Sequence, residues 1–191
     1  MMVSFYQHLY HRGLRDYHRY WSTGELPTNP NEEHVVFPLI APGGKYVGHQ
    51  RYYWRRPKLR SNDEQGRYIS TFLPEYKLTA FFGYEYTSWP TSCLFVTEGV
   101  WDCIRVANCG VNCLALLTAT PSKCLRQYLR MLVGDCPLVA LIDRDENKAG
   151  ESLGKFCDYQ FEPPGIYEDF NDIPPVECFK YIIEIENRLC L

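Results

Sequence analysis

Residues 93–99 read Cys93-Leu94-Phe95-Val96-Thr97-Glu98-Gly99, an apolar run that stops at a carboxylate. A second run of this kind, Leu138 to Ile142, stops at Asp143-Arg144-Asp145. Short apolar runs bounded by turn residues are typical of buried strands. In open α/β sheets, ligands bind at the carboxyl edge of the parallel strands. We therefore expect Glu98, Asp143 and Asp145 to gather at one such edge.

The three acids indicate a metal site. Clustered carboxylates repel one another unless a cation joins them, and Asp143 and Asp145 share one face of an extended chain. Mg²⁺ prefers carboxylates, water and substrate phosphates as ligands. The sequence predicts a site for Mg²⁺, or Mn²⁺ in its place, in which Glu98, Asp143 and Asp145 bind metal and carry the chemistry. The alternative is a plain turn and helix N-cap at Asp143 and Asp145.

From residue 92 onward, strand and helix patterns alternate. The predicted strands cover 94–97, 113–117, 138–142 and 158–161, and the predicted helices cover 100–108, 122–133, 149–156 and 176–189. Gly110 and Gly134 stand where helices should end. This order predicts an α/β fold with a parallel βαβ sheet flanked by helices over residues 91–191.

Residues 1–90 have a different pattern, which is rich in strand signals. Apolar periodicity predicts a helix within residues 4–22, although Gly13 interrupts it. Apolar runs at 35–40 and 45–54 flank Ala41-Pro42-Gly43-Gly44 and predict a β-hairpin. Two further strand-like runs cover 66–70 and 80–84. We expect a smaller β-rich subdomain in residues 1–90, ahead of the α/β domain.

Charge is unevenly distributed along the chain. Residues 1–90 carry 11 Lys/Arg and 8 Asp/Glu, whereas residues 91–191 carry 9 and 15. A basic segment suits a polyanion such as a nucleic acid. The predicted nucleic-acid and nucleotide-binding residues are the seven Lys and Arg residues between positions 45 and 67, which are Lys45, Arg51, Arg55, Arg56, Lys58, Arg60 and Arg67. Tyr46, Tyr52, Tyr53 and Trp54 alternate with them and either stack on unpaired bases or belong to a core.

Composition excludes several classes of protein. The chain is 46% hydrophobic and 15% aromatic, which rules out general disorder. No apolar run approaches the ~20 residues that a membrane helix needs, and the N-terminus has no signal-peptide pattern. We expect a cytoplasmic protein with no membrane partner. The nine cysteines include no Cys-x-x-Cys pair, so we expect buried reduced thiols and no structural zinc.

The acidic motifs resemble those of a known family. Thr97-Glu98-Gly99 through Asp102, with Asp143-Arg144-Asp145 and Ala149-Gly150, is similar to the TOPRIM domain of DnaG-type primases, topoisomerases and some small nucleases. The run Ala115-Leu116-Leu117-Thr118-Ala119 resembles a primase strand end, with Leu117 where the family has glycine. The run Tyr167 to Asp172 resembles a segment of phage primases.

The resemblance extends upstream and covers about residues 34–173. The runs Val36–Ile40, Gly43–Gly48 and Gly66–Ser70 are similar to the segment that precedes TOPRIM in primases, and Lys77 falls at a lysine of that family. The resemblance implies that Lys77 joins the binding cations and that Asp169 is a further metal ligand. It also implies that Asp102 and Asp172 support the metal site from outside. A solvated acidic loop is the alternative for Asp169 and Asp172.

The resemblance implies a phage-type DNA primase catalytic core. Such an enzyme synthesises short RNA primers from NTPs on single-stranded DNA by Mg²⁺-dependent nucleotidyl transfer. The sequence contains neither a Cys/His zinc module nor a P-loop. We therefore expect a replicative helicase or zinc-module partner in trans. The alternatives are a small TOPRIM nuclease and a catalytically weak nucleic-acid-binding replication or anti-defence factor.

Overall fold

The computed structural model describes residues 4–14, 34–59, 64–83, 91–118, 120–144 and 151–189. The chain forms two compact units, Met1–Ala80 and Phe81–Leu191. The boundary expected between residues 90 and 91 stays a prediction, because residues 84–90 lie outside the described ranges. Phe82 pairs with Ala115 in an isolated antiparallel bridge of the second unit.

The first unit contains a three-stranded antiparallel sheet in the order β1-β2-β3. Its strands are β1 (His34–Ala41), β2 (Lys45–Tyr53) and β3 (Tyr68–Phe72). Ala41 pairs with Lys45 across the predicted hairpin, so three residues form its tip. Gly43 and Gly44 lie there at φ values of 87° and 80°, a conformation that favours glycine. The predicted hairpin is confirmed.

Helix α1 (Phe5–His11) is shorter than the helix expected within residues 4–22. Ser4 caps its N-terminus, and Gln7 completes a capping box with the Ser4 backbone. Gly13 has a φ of 99°, which a continuing helix does not allow. The expected extent was therefore wrong at its C-terminal end, and residues 15–33 lie outside the described ranges.

The second unit is built on a four-stranded parallel sheet in the order β5-β4-β6-β7. The strands are β4 (Leu94–Thr97), β5 (Cys113–Ala115), β6 (Leu138–Leu141) and β7 (Tyr159–Phe161). The helices are α2 (Val100–Ala107), α3 (Lys123–Val133), α4 (Glu151–Gly154) and α5 (Pro175–Leu189). The predicted α/β fold class with a parallel sheet flanked by helices is confirmed.

The core of this unit lies on both faces of the sheet. Every residue of β4 and β6 is buried, as expected when helices cover both faces. Because β5 and β6 flank β4 on opposite sides, the usual right-handed crossovers would place α2 and α3 on opposite faces. Helix α3 buries Leu125, Leu129 and Val133, which recur every fourth residue along one stripe.

Five of the eight cysteines in the described residues are buried, and no disulfide joins any of the eight. Cys93, Cys103, Cys113 and Cys178 are buried. The sulfur atoms of Cys109 and Cys178 lie 3.9 Å apart. That contact and burial both raise the pKa of Cys178, which keeps it a thiol at neutral pH. Within the described ranges, no helix is long and apolar enough to cross a membrane.

Candidate active site at the carboxyl edge of the parallel sheet

Glu98 and Asp143 follow two neighbouring parallel strands. Leu94 lies opposite Leu138 in the ladder between β4 and β6, so the carboxyl ends of these strands meet at the same edge. Glu98 follows the last residue of β4 directly and is exposed, and Asp143 follows β6 and is half-buried. The structure thus brings two of the three predicted acids to one edge. Asp145 lies outside the described residues.

The Glu98-Gly99 turn depends on the absence of a side chain at Gly99. A Cβ added there would lie 2.6 Å from Oδ2 of Asp102. The φ of Gly99 is −93°, which any residue can adopt, so glycine is required for space and not for backbone freedom. The Thr97 hydroxyl donates to the Gly99 carbonyl at 3.0 Å and fixes the turn.

Asp102 anchors a distant segment to α2. Its Oδ1 accepts a hydrogen bond from the Asn171 backbone N–H at 2.9 Å. Asn171 donates through Nδ2 to the Trp101 carbonyl at 3.3 Å, and Arg105 donates to the Asn171 carbonyl at 3.3 Å. Asp102, Arg105 and Asn171 are all buried. The geometry gives Asp102 a structural task, and its predicted support of a metal stays a prediction.

Asp169 and Asp172 form a turn in the same segment. Oδ1 of Asp169 accepts a hydrogen bond from the Asp172 backbone N–H at 2.8 Å, three residues along the chain, which is the spacing of a helix N-cap bond and one residue more than that of an Asx turn. Asp169 is half-buried, and Asp172 is exposed. One Asp169 oxygen is therefore used within the chain, and the predicted metal role of Asp169 stays a prediction.

Arg144 braces the chain next to Asp143, a role that the sequence did not reveal. Its guanidinium donates to the Pro163 carbonyl at 2.7 Å, to the Gly165 carbonyl, and to Glu162 Oε2 at 3.4 Å. Its backbone N–H donates to the Glu168 carbonyl at 2.8 Å. These bonds tie the end of β6 to the loop that follows β7 and so restrict the backbone beside Asp143.

The end of β5 extends the sheet edge beside Glu98. Leu116 N–H donates to the Thr97 carbonyl at 2.9 Å, and Leu117 N–H donates to the Glu98 carbonyl at 3.0 Å. The φ of Leu117 is 59°, in the left-handed region. The sequence marked Leu117 as unusual for the family, but only the structure reveals its backbone conformation and its bond to Glu98.

The residues at this edge suit a hard cation. Glu98 and Asp143 offer carboxylate oxygens, which Mg²⁺ and Mn²⁺ prefer. Among the residues that the structure describes, no three Asp, Glu, His or Cys side chains converge as a metal site. The predicted ligand set includes Asp145, so the complete set falls partly outside the described ranges.

The predicted cations of the first unit differ in exposure. Lys45, Arg55, Lys58 and Lys77 are exposed, whereas Arg51, Arg56 and Arg67 are half-buried, and Arg60 lies outside the described residues. Arg56 donates to the Glu64 carbonyl at 2.7 Å, and Arg67 Nε donates to the Arg56 carbonyl at 2.8 Å. These two arginines brace a loop, whereas Lys45, Arg55, Lys58 and Lys77 are the described cations that are most open to a polyanion.

The aromatic residues among these cations also divide into two groups. Tyr52 and Tyr53 are 0% and 6% exposed, and the Tyr52 ring packs 5.2 Å from that of Tyr68. They belong to the core, which excludes base stacking. Tyr46 is 52% exposed, and Trp54 is half-buried with the Arg55 guanidinium 4.8 Å from its ring centroid. Only this second group can meet a base.

Among solved structures, the chain is similar to catalytic domains of bacterial primases. For the zinc-binding and RNA polymerase domains of the Aquifex aeolicus primase, the TM-score is 0.57 at 19% identity over 81% of this chain and 40% of that one. For the Escherichia coli primase catalytic core, the TM-score is 0.58 at 19% identity over 80% of this chain and 52% of that one.

A DnaG primase catalytic domain bound to single-stranded DNA also matches, with a TM-score of 0.58 at 16% identity over 80% of this chain and 52% of that one. The chain thus spans about half or less of the primase structures that it matches. No protein-family model and no curated protein matches the sequence. At this level of identity the comparison concerns architecture, and it establishes that the chain has the TOPRIM-containing fold of the DnaG-type primase catalytic core.

Proposed function

We propose that this protein is a primase-like nucleotidyltransferase core that joins ribonucleotides on single-stranded DNA. The observation that carries the proposal is the position of Glu98 and Asp143 at the carboxyl ends of neighbouring parallel strands in a DnaG-type fold. In such sheets, this edge is where ligands bind. We also propose that the enzyme is of the phage primase type, that it depends on a divalent metal, and that its substrates are NTPs and single-stranded DNA.

The proposed reaction is a phosphoryl transfer. The 3′-hydroxyl oxygen of the growing strand bonds to the α-phosphorus of an NTP, the bond to the bridging oxygen breaks, and pyrophosphate leaves. Glu98, Asp143, Asp145 and Asp169 are the proposed ligands of Mg²⁺ or Mn²⁺, which would polarise the hydroxyl and neutralise charge on the triphosphate. In the alternative assignment, Glu98 is not a ligand but the general acid/base that exchanges the hydroxyl proton. Arg144 keeps the backbone beside Asp143 in place.

The first unit supplies the proposed nucleic-acid surface. The exposed cations Lys45, Arg55, Lys58 and Lys77 attract phosphates, whatever the base sequence. The exposed Tyr46 offers a flat ring to an unpaired base. The structure of a DnaG catalytic domain with single-stranded DNA supports this class of ligand for the fold. Initiation would further require a helicase or zinc-module partner if the core alone does not start a strand.

A synthesis assay with matched acid variants tests the proposal. Labelled NTPs, single-stranded DNA and Mg²⁺ or Mn²⁺ are incubated with the wild type, Asp143→Asn and Asp135→Asn. Asp135 is an exposed acid that follows α3 at the opposite edge of the same sheet, so its variant loses the same charge away from the site. We expect short oligoribonucleotides, reduced about a hundredfold or more by Asp143→Asn and unchanged by Asp135→Asn.

Two outcomes contradict the proposal. Cleavage of the DNA without synthesis, abolished by Asp143→Asn, would make the protein a nuclease that uses the same acids to activate water. DNA binding with neither synthesis nor cleavage, also after addition of a primed template that removes the need for initiation, would make it a binding factor.

A further inference from the structure

Leu117 has a backbone conformation that leucine rarely adopts. Its φ is 59°, and every other residue with positive φ in the described ranges is a glycine. In the left-handed region, Cβ approaches the following carbonyl oxygen, and a leucine has no short polar side chain to compensate for that contact. Strain of this kind persists where the surrounding structure imposes it, and such residues cluster at ligand sites.

Leu117 is more open to solvent than the leucines next to it in the chain. The neighbouring Leu114 and Leu116 are fully buried, whereas Leu117 is half-buried. Its backbone N–H bonds the Glu98 carbonyl at 3.0 Å, a bond that any residue except proline would make. A glycine would make the same bond without strain. Compared with glycine, Leu117 adds an apolar side chain at the carboxyl edge of the sheet, which also carries Glu98 and Asp143. The residue is partly open to solvent.

We propose that the Leu117 side chain is the apolar wall of a nucleobase subsite beside Glu98. The flat face of a base is its least polar surface, and an aliphatic side chain can pack on it without reading hydrogen-bond groups. The subsite would therefore accept purines and pyrimidines alike. This inference rests on the proposed nucleotide chemistry at Glu98 and Asp143, and it assigns Leu117 to substrate binding and not to the transfer step.

Three substitutions separate the side chain from the backbone. Leu117→Gly removes both the side chain and the strain, and Leu117→Ala removes the side chain but leaves a Cβ in the left-handed region. Leu117→Met replaces the leucine with an apolar side chain of similar volume that is unbranched. Leu132→Ala is the matched control, because Leu132 is a half-buried leucine near the C-terminal end of α3, away from the carboxyl edge of the sheet.

The readouts are melting temperature, equilibrium binding of labelled ATP and CTP in Mn²⁺, and steady-state kinetics. We expect Leu117→Gly to melt higher than the wild type and Leu117→Ala not to. Both should bind ATP and CTP about fivefold more weakly, with a raised KM and a kcat within about twofold. Leu117→Met and Leu132→Ala should bind both nucleotides as the wild type does.

Wild-type affinity in Leu117→Gly and Leu117→Ala would overturn the subsite, and so would a failure of the wild type to bind either nucleotide. A loss confined to one of the two nucleotides would contradict its base tolerance. If the wild type binds both nucleotides and synthesises nothing, the proposed reaction fails, while the affinities of the variants still decide the subsite.

Discussion

The turn after β4 depends on one absent side chain. Gly99 leaves room for the Asp102 carboxylate, and Asp102 in turn holds the backbone of Asn171. The requirement for glycine at position 99 arises because the Asp102 carboxylate lies so close to it. A Glu-Gly pair at a strand end therefore serves two tasks: the glutamate lies at the carboxyl edge of the sheet, and the glycine leaves room for the anchor of a second segment.

Gly99→Ala should destabilise the second unit by about 1–3 kcal/mol, because the new Cβ would sit 2.6 Å from Asp102 Oδ2. Asp102 cannot withdraw without loss of its bond to Asn171. The measurement is the free energy of unfolding in urea for Gly99→Ala, Asp102→Ala and the double variant. In the Asp102→Ala background the alanine at 99 should cost at least about 1 kcal/mol less. Equal costs in both backgrounds would exclude this contact as the cause.

At the scale of elements, α1 is held on β2 by a histidine that stays neutral. His8 Nε2 and the Tyr52 hydroxyl are 2.8 Å apart, and the two rings stack with centroids 5.8 Å apart. Burial, and after it the charges of Arg12 and Arg67, together lower the pKa of His8 from 6.5 to about 4. A charged imidazole would be poorly tolerated here.

The first unit should lose stability as pH falls from about 6.5 to about 4. The pKa of His8 in the folded protein lies below its unfolded value of 6.5. On acidification the unfolded chain therefore binds a proton at His8 before the folded chain does, and the stabilisation that is present above pH 6.5 is lost. His8→Phe keeps the ring and should flatten this dependence in urea unfolding between pH 7.5 and 4.5. His11→Phe, on an exposed position of the same helix, is the control. A slope equal to that of the wild type in His8→Phe would contradict the assignment.

At the scale of the whole molecule, charge separates the two proposed tasks. Residues 1–90 carry the excess of Lys and Arg, and residues 91–191 carry the excess of Asp and Glu. Phosphates are attracted to the first group and metal cations to the second. The proposed metal-dependent reaction on a polyanion would need both, and successive parts of the chain carry them.

Binding of single-stranded DNA should depend strongly on salt. If the four exposed cations Lys45, Arg55, Lys58 and Lys77 each contact one phosphate, log K should fall with log salt at a slope of about −2.8, from ~0.7 per contact. Fluorescence anisotropy of a labelled oligothymidine measures this slope. Lys58→Ala and Lys77→Ala should each reduce it by about 0.7, and Lys180→Ala in α5 should not. A slope near zero would remove the basic surface from the proposal.

The local pattern of the sequence was sufficient to predict the elements of the second unit. Buried runs, helix caps and glycine stops act within a few residues, so the order and type of the elements in residues 94–189 agree with those expected. The expected bounds were wrong for β5, which ends at Ala115 and not at Leu117, and for α4, which ends at Gly154 and not at Phe156. In the first unit, Gly13 ended α1 earlier than the apolar spacing indicated. The pairing of Phe82 with Ala115 was also not predicted, because it joins residues that are distant in the chain.

The sequence by itself determined the alternation of strands and helices, the carboxylates Glu98 and Asp143 at two strand ends, and the division of charge. All of these depend on residue type and short-range spacing. The tertiary structure alone decided that Tyr52 and Tyr53 are core residues, that Asp102 holds Asn171, and that Leu117 is strained beside Glu98. The physical reason is that burial, hydrogen-bond partners and backbone strain depend on which distant residues pack together, and no local pattern records that choice.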